Sequence, residues 1–104
     1  MNTIQILIKE PGKRAWLERV ENTIENLQEI VGGYIETIRA TNDFAILYNK
    51  DAYALGFPEA CKICGIELFG TIALVGQRGK NFTDLSHPLL EKMRALFPQL
   101  FEGV

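Results

Sequence analysis

Two cysteines and one histidine are all that 104 residues provide, and that scarcity removes several function classes at once. Cys61 and Cys64 are too few for a disulfide scaffold. A closed zinc site needs four ligands, so the two cysteines and His87 would have to recruit a carboxylate. Excess charge is missing as well: eleven basic against thirteen acidic side chains leave a net charge of −2. Duplex nucleic acid and anionic lipid would find no basic footprint. No apolar run approaches the roughly 20 residues of a membrane span. Met1-Asn2-Thr3-Ile4 has neither the basic start nor the apolar stretch of a secretory signal. A Gly-x-Ser-x-Gly elbow, a complete phosphate loop and a His-Glu-x-x-His helix are all absent. The expectation is a cytoplasmic, globular domain spanning residues 1–104, with no metal and no cofactor.

What is abundant is core material. Ile, Leu, Val and Phe make up about a third of the chain, well above the roughly one fifth below which chains stay disordered. Thr3 to Ile8 alternates, with Ile4, Ile6 and Ile8 on one face, and predicts a strand that Pro11-Gly12 turns. Arg14 to Val20 reads as its hairpin partner, although a two-turn helix fits Trp16, Leu17 and Val20 nearly as well. Asn22 and Glu25 form a capping-box pattern, and Ile24, Leu27, Ile30 and Val31 make a helical stripe over 22–31. Gly32-Gly33 supplies the C-cap.

Strands follow at Tyr34–Arg39 and Phe44–Tyr48. The stretch from Ala52 to Gly65 reads as an irregular loop holding at most a short helical turn. Ile66 to Val75 is strand material interrupted by Gly70, which marks either a bulge or a close approach. Gly76 to Lys80 reads as an exposed turn. Ser86 then caps a last helix, with Pro88 in its first turn and Leu89, Met93, Leu96 and Phe97 as its stripe. These elements predict an α+β domain: a mixed, mainly antiparallel sheet of about five strands packed with two helices.

Between Leu27 and Glu36 the chain reads Leu-Gln-Glu-Ile-Val-Gly-Gly-Tyr-Ile-Glu. This segment resembles the core of a family of short proteins of unknown function found in phages, plasmids and related bacterial genomes. Glu10-Pro11-Gly12, Asn49, Gly56-Phe57-Pro58, Gly70, Val75-Gly76 and Phe82 to Leu85 extend the likeness over nearly the whole chain. The departure comes after Pro58, where family members carry a polar Asn-Arg and this chain has Glu59-Ala60-Cys61.

The resemblance implies a mobile-element setting and no established activity. In that setting a small protein without catalytic signatures acts by binding. The leading expectation is a non-catalytic binding protein that counters host defence, sequestering a nucleotide signalling molecule or occupying a host protein. For a nucleotide, Tyr34 and Phe57 would stack, Asn49 would contact base or ribose, and Arg78 and Lys80 would hold phosphate.

The expected location is the Gly32-Gly33-Tyr34 turn and the Asn49–Pro58 loop, with Gly70 nearby. Either Gly32 or Gly33 ends the helix, and two successive glycines exceed what a cap needs, so one of them would admit another group to the backbone. The alternative is a small enzyme, a hydrolase or redox protein using the Cys61/Cys64 loop. Leu55, Phe57, Ile63, Phe69, Leu100 and Phe101 exceed what one modest sheet face covers. That surplus points to a homodimer or small homo-oligomer, unless Leu100 and Phe101 fold back on their own chain.

Overall fold

The alternating isoleucines near the N-terminus form β1 (Thr3–Lys9), which pairs antiparallel with β2 (Trp16–Glu21) in unbroken register from Thr3↔Glu21 to Ile8↔Trp16. The second segment is therefore a strand, and the helical alternative is excluded. The computed structural model describes residues 2–63 and 65–101. Cys64, one half of the Cys61/Cys64 pair, lies outside the described residues. After β2 come α1 (Ile24–Val31), β3 (Ile35–Arg39), β4 (Phe44–Asn49), β5 (Glu59–Ile63) and β6 (Ile66–Phe69). Then follow β7 (Ile72–Arg78), β8 (Asn81–Thr83), α2 (His87–Leu96) and a 3₁₀ turn at Pro98–Phe101.

The main sheet has the order β2-β1-β7-β4-β3, with β8 on the far half of β7; β5 and β6 form a separate ribbon. The domain is α+β, as expected. The described pairings are all antiparallel, and six strands stand where about five were expected. The ribbon was not legible because β5 buries only Ile63, which leaves no alternation to read. The stretch 66–75 is two strands, not one bulged strand. The turn expected at Gly76–Lys80 is shorter, since β7 continues to Arg78 and the chain reverses at Gly79-Lys80.

The sheet carries a core on each face. On one face Leu7, Phe44, Ile46, Ile72 and Leu74 pack with Met93 and Phe97 of the α2 region, Leu100, and Ile63 and Leu68 of the ribbon. On the other, Ile4, Ile6, Ile8, Leu47 and Val75 pack with Leu27 of α1 over the small Ala45 and Ala73. Burial of this kind is worth roughly 25 cal/mol per Å² of apolar surface. Leu100 and Ile63 are thus covered by their own chain, and Phe101 packs against the same core.

Both helix stripes need correction at one position. Ile24 and Leu96 are mostly exposed, while Leu27, Val31, Met93 and Phe97 carry the buried faces. The N-cap of α1 is also one residue later than expected. Thr23 Oγ1 accepts from the Asn26 N–H at 3.2 Å. Asn22 instead donates its side-chain amide to the Phe82 carbonyl, tying the helix entry to β8.

Candidate binding cleft

Four turns far apart in the sequence meet where α1 ends. Glu10-Pro11 leaves β1, Ile30-Val31-Gly32 closes α1, Phe57-Pro58 leads into the ribbon, and Gly70-Thr71 leads into β7. Together they line an open cleft of about 360 Å³.

The glycine pair divides two tasks. Gly32 adopts the left-handed conformation (φ 84°) that ends α1, and the N–H groups of Gly32 and Gly33 both donate to the Gln28 carbonyl at 2.8 and 3.0 Å. Gly33 is there for space: a Cβ would lie 2.9 Å from Asn49 Nδ2 and 3.1 Å from Oδ1. Asn49 itself is only 2% exposed. Its Oδ1 accepts from the Asp51 N–H at 2.9 Å, while its Nδ2 is buried without a partner.

That side chain starts a run of tight turns through residue 56. Ala52 N–H donates to the Asn49 carbonyl, Leu55 N–H to Asp51 and Phe57 N–H to Ala52. The loop is therefore built, and it delivers Phe57 to a fixed place. Gly70 receives it. Its φ is 73°, its N–H donates to the Pro58 carbonyl at 2.8 Å, and a Cβ would meet Phe57 Cδ2 at 2.8 Å. Of the two readings for Gly70, close approach describes it, together with a backbone corner that an L-residue adopts at a cost of about 1–2 kcal/mol.

The outer side of this loop is apolar. Phe57 is 36% exposed, Leu55 60%, Tyr53 76% and Tyr34 70%. Tyr34 stands just before β3, where its carbonyl accepts from the Lys50 N–H at 2.9 Å. Charge is nearly absent from the lining. Glu10 is its only ionisable residue, and it is paired with Lys13 at 3.0 Å.

The model of the family described as Domain of unknown function (DUF3846) matches residues 4–98. The chain belongs to that family. The matched span contains every residue that lines the cleft. No curated protein and no solved structure matches the chain.

In this DUF3846 domain the expected site residues fall into three groups. Phe57 and Gly70 line the cleft. Gly33, Asn49 and Tyr34 lie beside it, with Asn49 buried against Gly33 rather than open to a ligand. Arg78 and Lys80 lie at the opposite end of β7, roughly 20 Å away at about 3.3 Å per residue. Arg78 lines a different, polar groove with Asp43 and Asp84. One small ligand cannot therefore use both ends. Glu10, Pro11, Ile30 and Thr71 were missed as lining residues. The Pro11-Gly12 turn signal was visible, but nothing in the sequence said which other turn it faces.

Cys61 lies in β5, half-buried against the larger core. Burial pushes its thiol up to about 11 from the ordinary 9; Lys9 opposes this and Glu59 adds to it. That is the reverse of an activated thiolate. His87 is exposed at the start of α2, 3.9 Å from Glu91. Among the described residues no three His, Cys, Asp or Glu side chains come together as metal ligands.

Proposed function

We propose that this DUF3846 domain is a non-catalytic binding module, and that the Phe57 cleft with its apolar rim takes a segment of another protein. The observation that carries the reading is the character of the cleft. Its lining offers Pro11, Ile30, Val31, Phe57 and Pro58 and no cation, and Lys13 beside it is already paired with Glu10, so the lining itself offers a phosphate no opposite charge. Tyr53 and Leu55 of the same loop, and Tyr34 beside it, are exposed, and aromatic anchors of this kind dominate protein interfaces. Between sequestering a nucleotide and occupying a protein, this chemistry favours the protein. In the mobile-element setting that the sequence suggests, the partner would belong to the bacterial host.

The test pairs two measurements. A panel of nucleotide second messengers should leave the melting temperature unchanged, and a host protein retained by the parent domain should be lost by Phe57→Glu. Stabilisation by several degrees with one nucleotide, abolished by Phe57→Ala, would replace protein capture with nucleotide sequestration.

A further inference from the structure

A second groove opens on the other side of the β1–β2 turn, between β2 and α2, and it has a different chemistry. Leu7, Leu17 and Leu90 form an apolar trough of about 340 Å³, with Arg14, Arg94 and Phe101 on its walls. Leu17 is 45% exposed although it sits on a strand. The Arg94 guanidinium lies 4.4 Å from the centroid of the Phe101 ring. A contact of this kind engages the face of the guanidinium and does not use its N–H donors. Among the described residues, neither Arg14 nor Arg94 has a carboxylate partner. Arg94 in the last turn of α2 also favours the helix dipole, but that accounts for neither Arg14 nor the bare Leu17.

The strand beside the groove is itself open. β2 ends the strand order, so one row of its N–H and C=O groups faces no neighbour in the sheet. Its register with β1 runs unbroken over six residue pairs, without a proline or a bulge. Of the devices that ordinarily blunt a sheet edge, β2 has charged side chains, the exposed Glu18, Arg19 and Glu21.

We infer that this edge binds an extended acidic peptide. The peptide backbone pairs with the free side of β2, one apolar side chain enters the trough over Leu17, and an Asp or Glu carboxylate meets Arg14 and Arg94. Charge complementarity selects the occupant: two guanidinium groups that have no carboxylate partner among the described residues, beside apolar surface, suit a carboxylate flanked by an aliphatic residue. This site is independent of the Phe57 cleft.

A displayed library of random nonapeptides, panned on the whole domain, tests the inference. Enriched peptides should carry Asp or Glu close to Leu, Ile or Val. A synthetic copy should bind R14A/R94A about tenfold or more weakly, bind L17E weakly, and bind Phe57→Glu like the parent. N-methylation of alternate peptide amides should abolish binding on one register and spare it on the other. These side chains are exposed, so the variants should keep the parent melting curve. The inference is overturned if no peptide is enriched, if the selected peptides bind R14A/R94A with parent affinity, or if only phosphatidylglycerol vesicles bind.

Discussion

Gly76 lies near one end of β7 and Gly70 two residues before the other, and at each the place of a Cβ is already taken, but by different kinds of group. At Gly76 it is taken by backbone. The Asp84 carbonyl oxygen and the Thr83 hydroxyl crowd the position, with the Thr83 carbonyl at 3.0 Å. This is where the chain leaves β8 for α2, so the crowding group cannot move without displacing a strand and a helix. At Gly70 it is taken by a side chain, the Phe57 ring, whose other side faces solvent. A glycine crowded by backbone secures the fold. A glycine crowded by a half-exposed aromatic shapes a surface, and that surface is where binding can occur.

The largest effect should come from the backbone-crowded end. Gly76→Val should leave no cooperative urea transition, since overpacking already costs about 1–3 kcal/mol where neighbours can adjust. A cooperative transition within 1 kcal/mol of the parent would break the distinction between the two glycines. Gly70→Ala should cost about 2 kcal/mol, the sum of left-handed strain and displacement of Phe57. Phe57→Ala alone should cost less than about 1 kcal/mol, because its ring is partly in water already. In the double variant the crowding disappears, so its cost should fall short of the sum by at least about 0.5 kcal/mol. Strict additivity in that cycle would mean that Phe57 does not press on Gly70.

A smaller effect should appear with pH on the ribbon, which covers the larger core. The folded-state pKa of Cys61 is raised, so the stability held by its neutral thiol is fully present below the unfolded value of 9. It is lost as pH rises through about 11. Urea titrations in a Cys64→Ser background should show stability falling over that window, and Cys61→Ala should remove that part of the fall. Least of all should be Tyr53→Ala, within about 0.5 kcal/mol of the parent in stability. It is 76% exposed, and its ring meets that of Phe69 edge-on at 5.0 Å between centroids. If Tyr53 belongs to the binding surface, the same variant weakens capture of the host protein while the melting curve stays put.

Periodicity was enough to read the elements that alternate strongly. β1 with Ile4, Ile6 and Ile8 and α1 with Leu27 and Val31 each show a face that must leave water, and β4, buried on both faces, shows an unbroken apolar run instead. Where burial is thin the pattern fails, as in β5, and where a corner interrupts an apolar run it misleads, as at Gly70. The same contrast divides the site. One glycine of the Gly32-Gly33 pair was legible as surplus to a helix cap, and only the tertiary contact with Asn49 shows that it is Gly33 and what it is for. Phe57 and Gly70 could be suspected, but their contact could not, since twelve residues, among them a two-stranded ribbon, separate them.

Composition and local pattern alone determined a single α+β domain with a buried sheet, two helices and little net charge, because propensity, capping and alternation act over a few residues. Only the tertiary structure decided that the Pro11, Gly32, Phe57 and Gly70 turns share one cleft and that Arg78 stands at the far end of β7. Strand order brings those turns together, and strand order is set by how two faces of one sheet are covered at once, a property no short window of sequence contains.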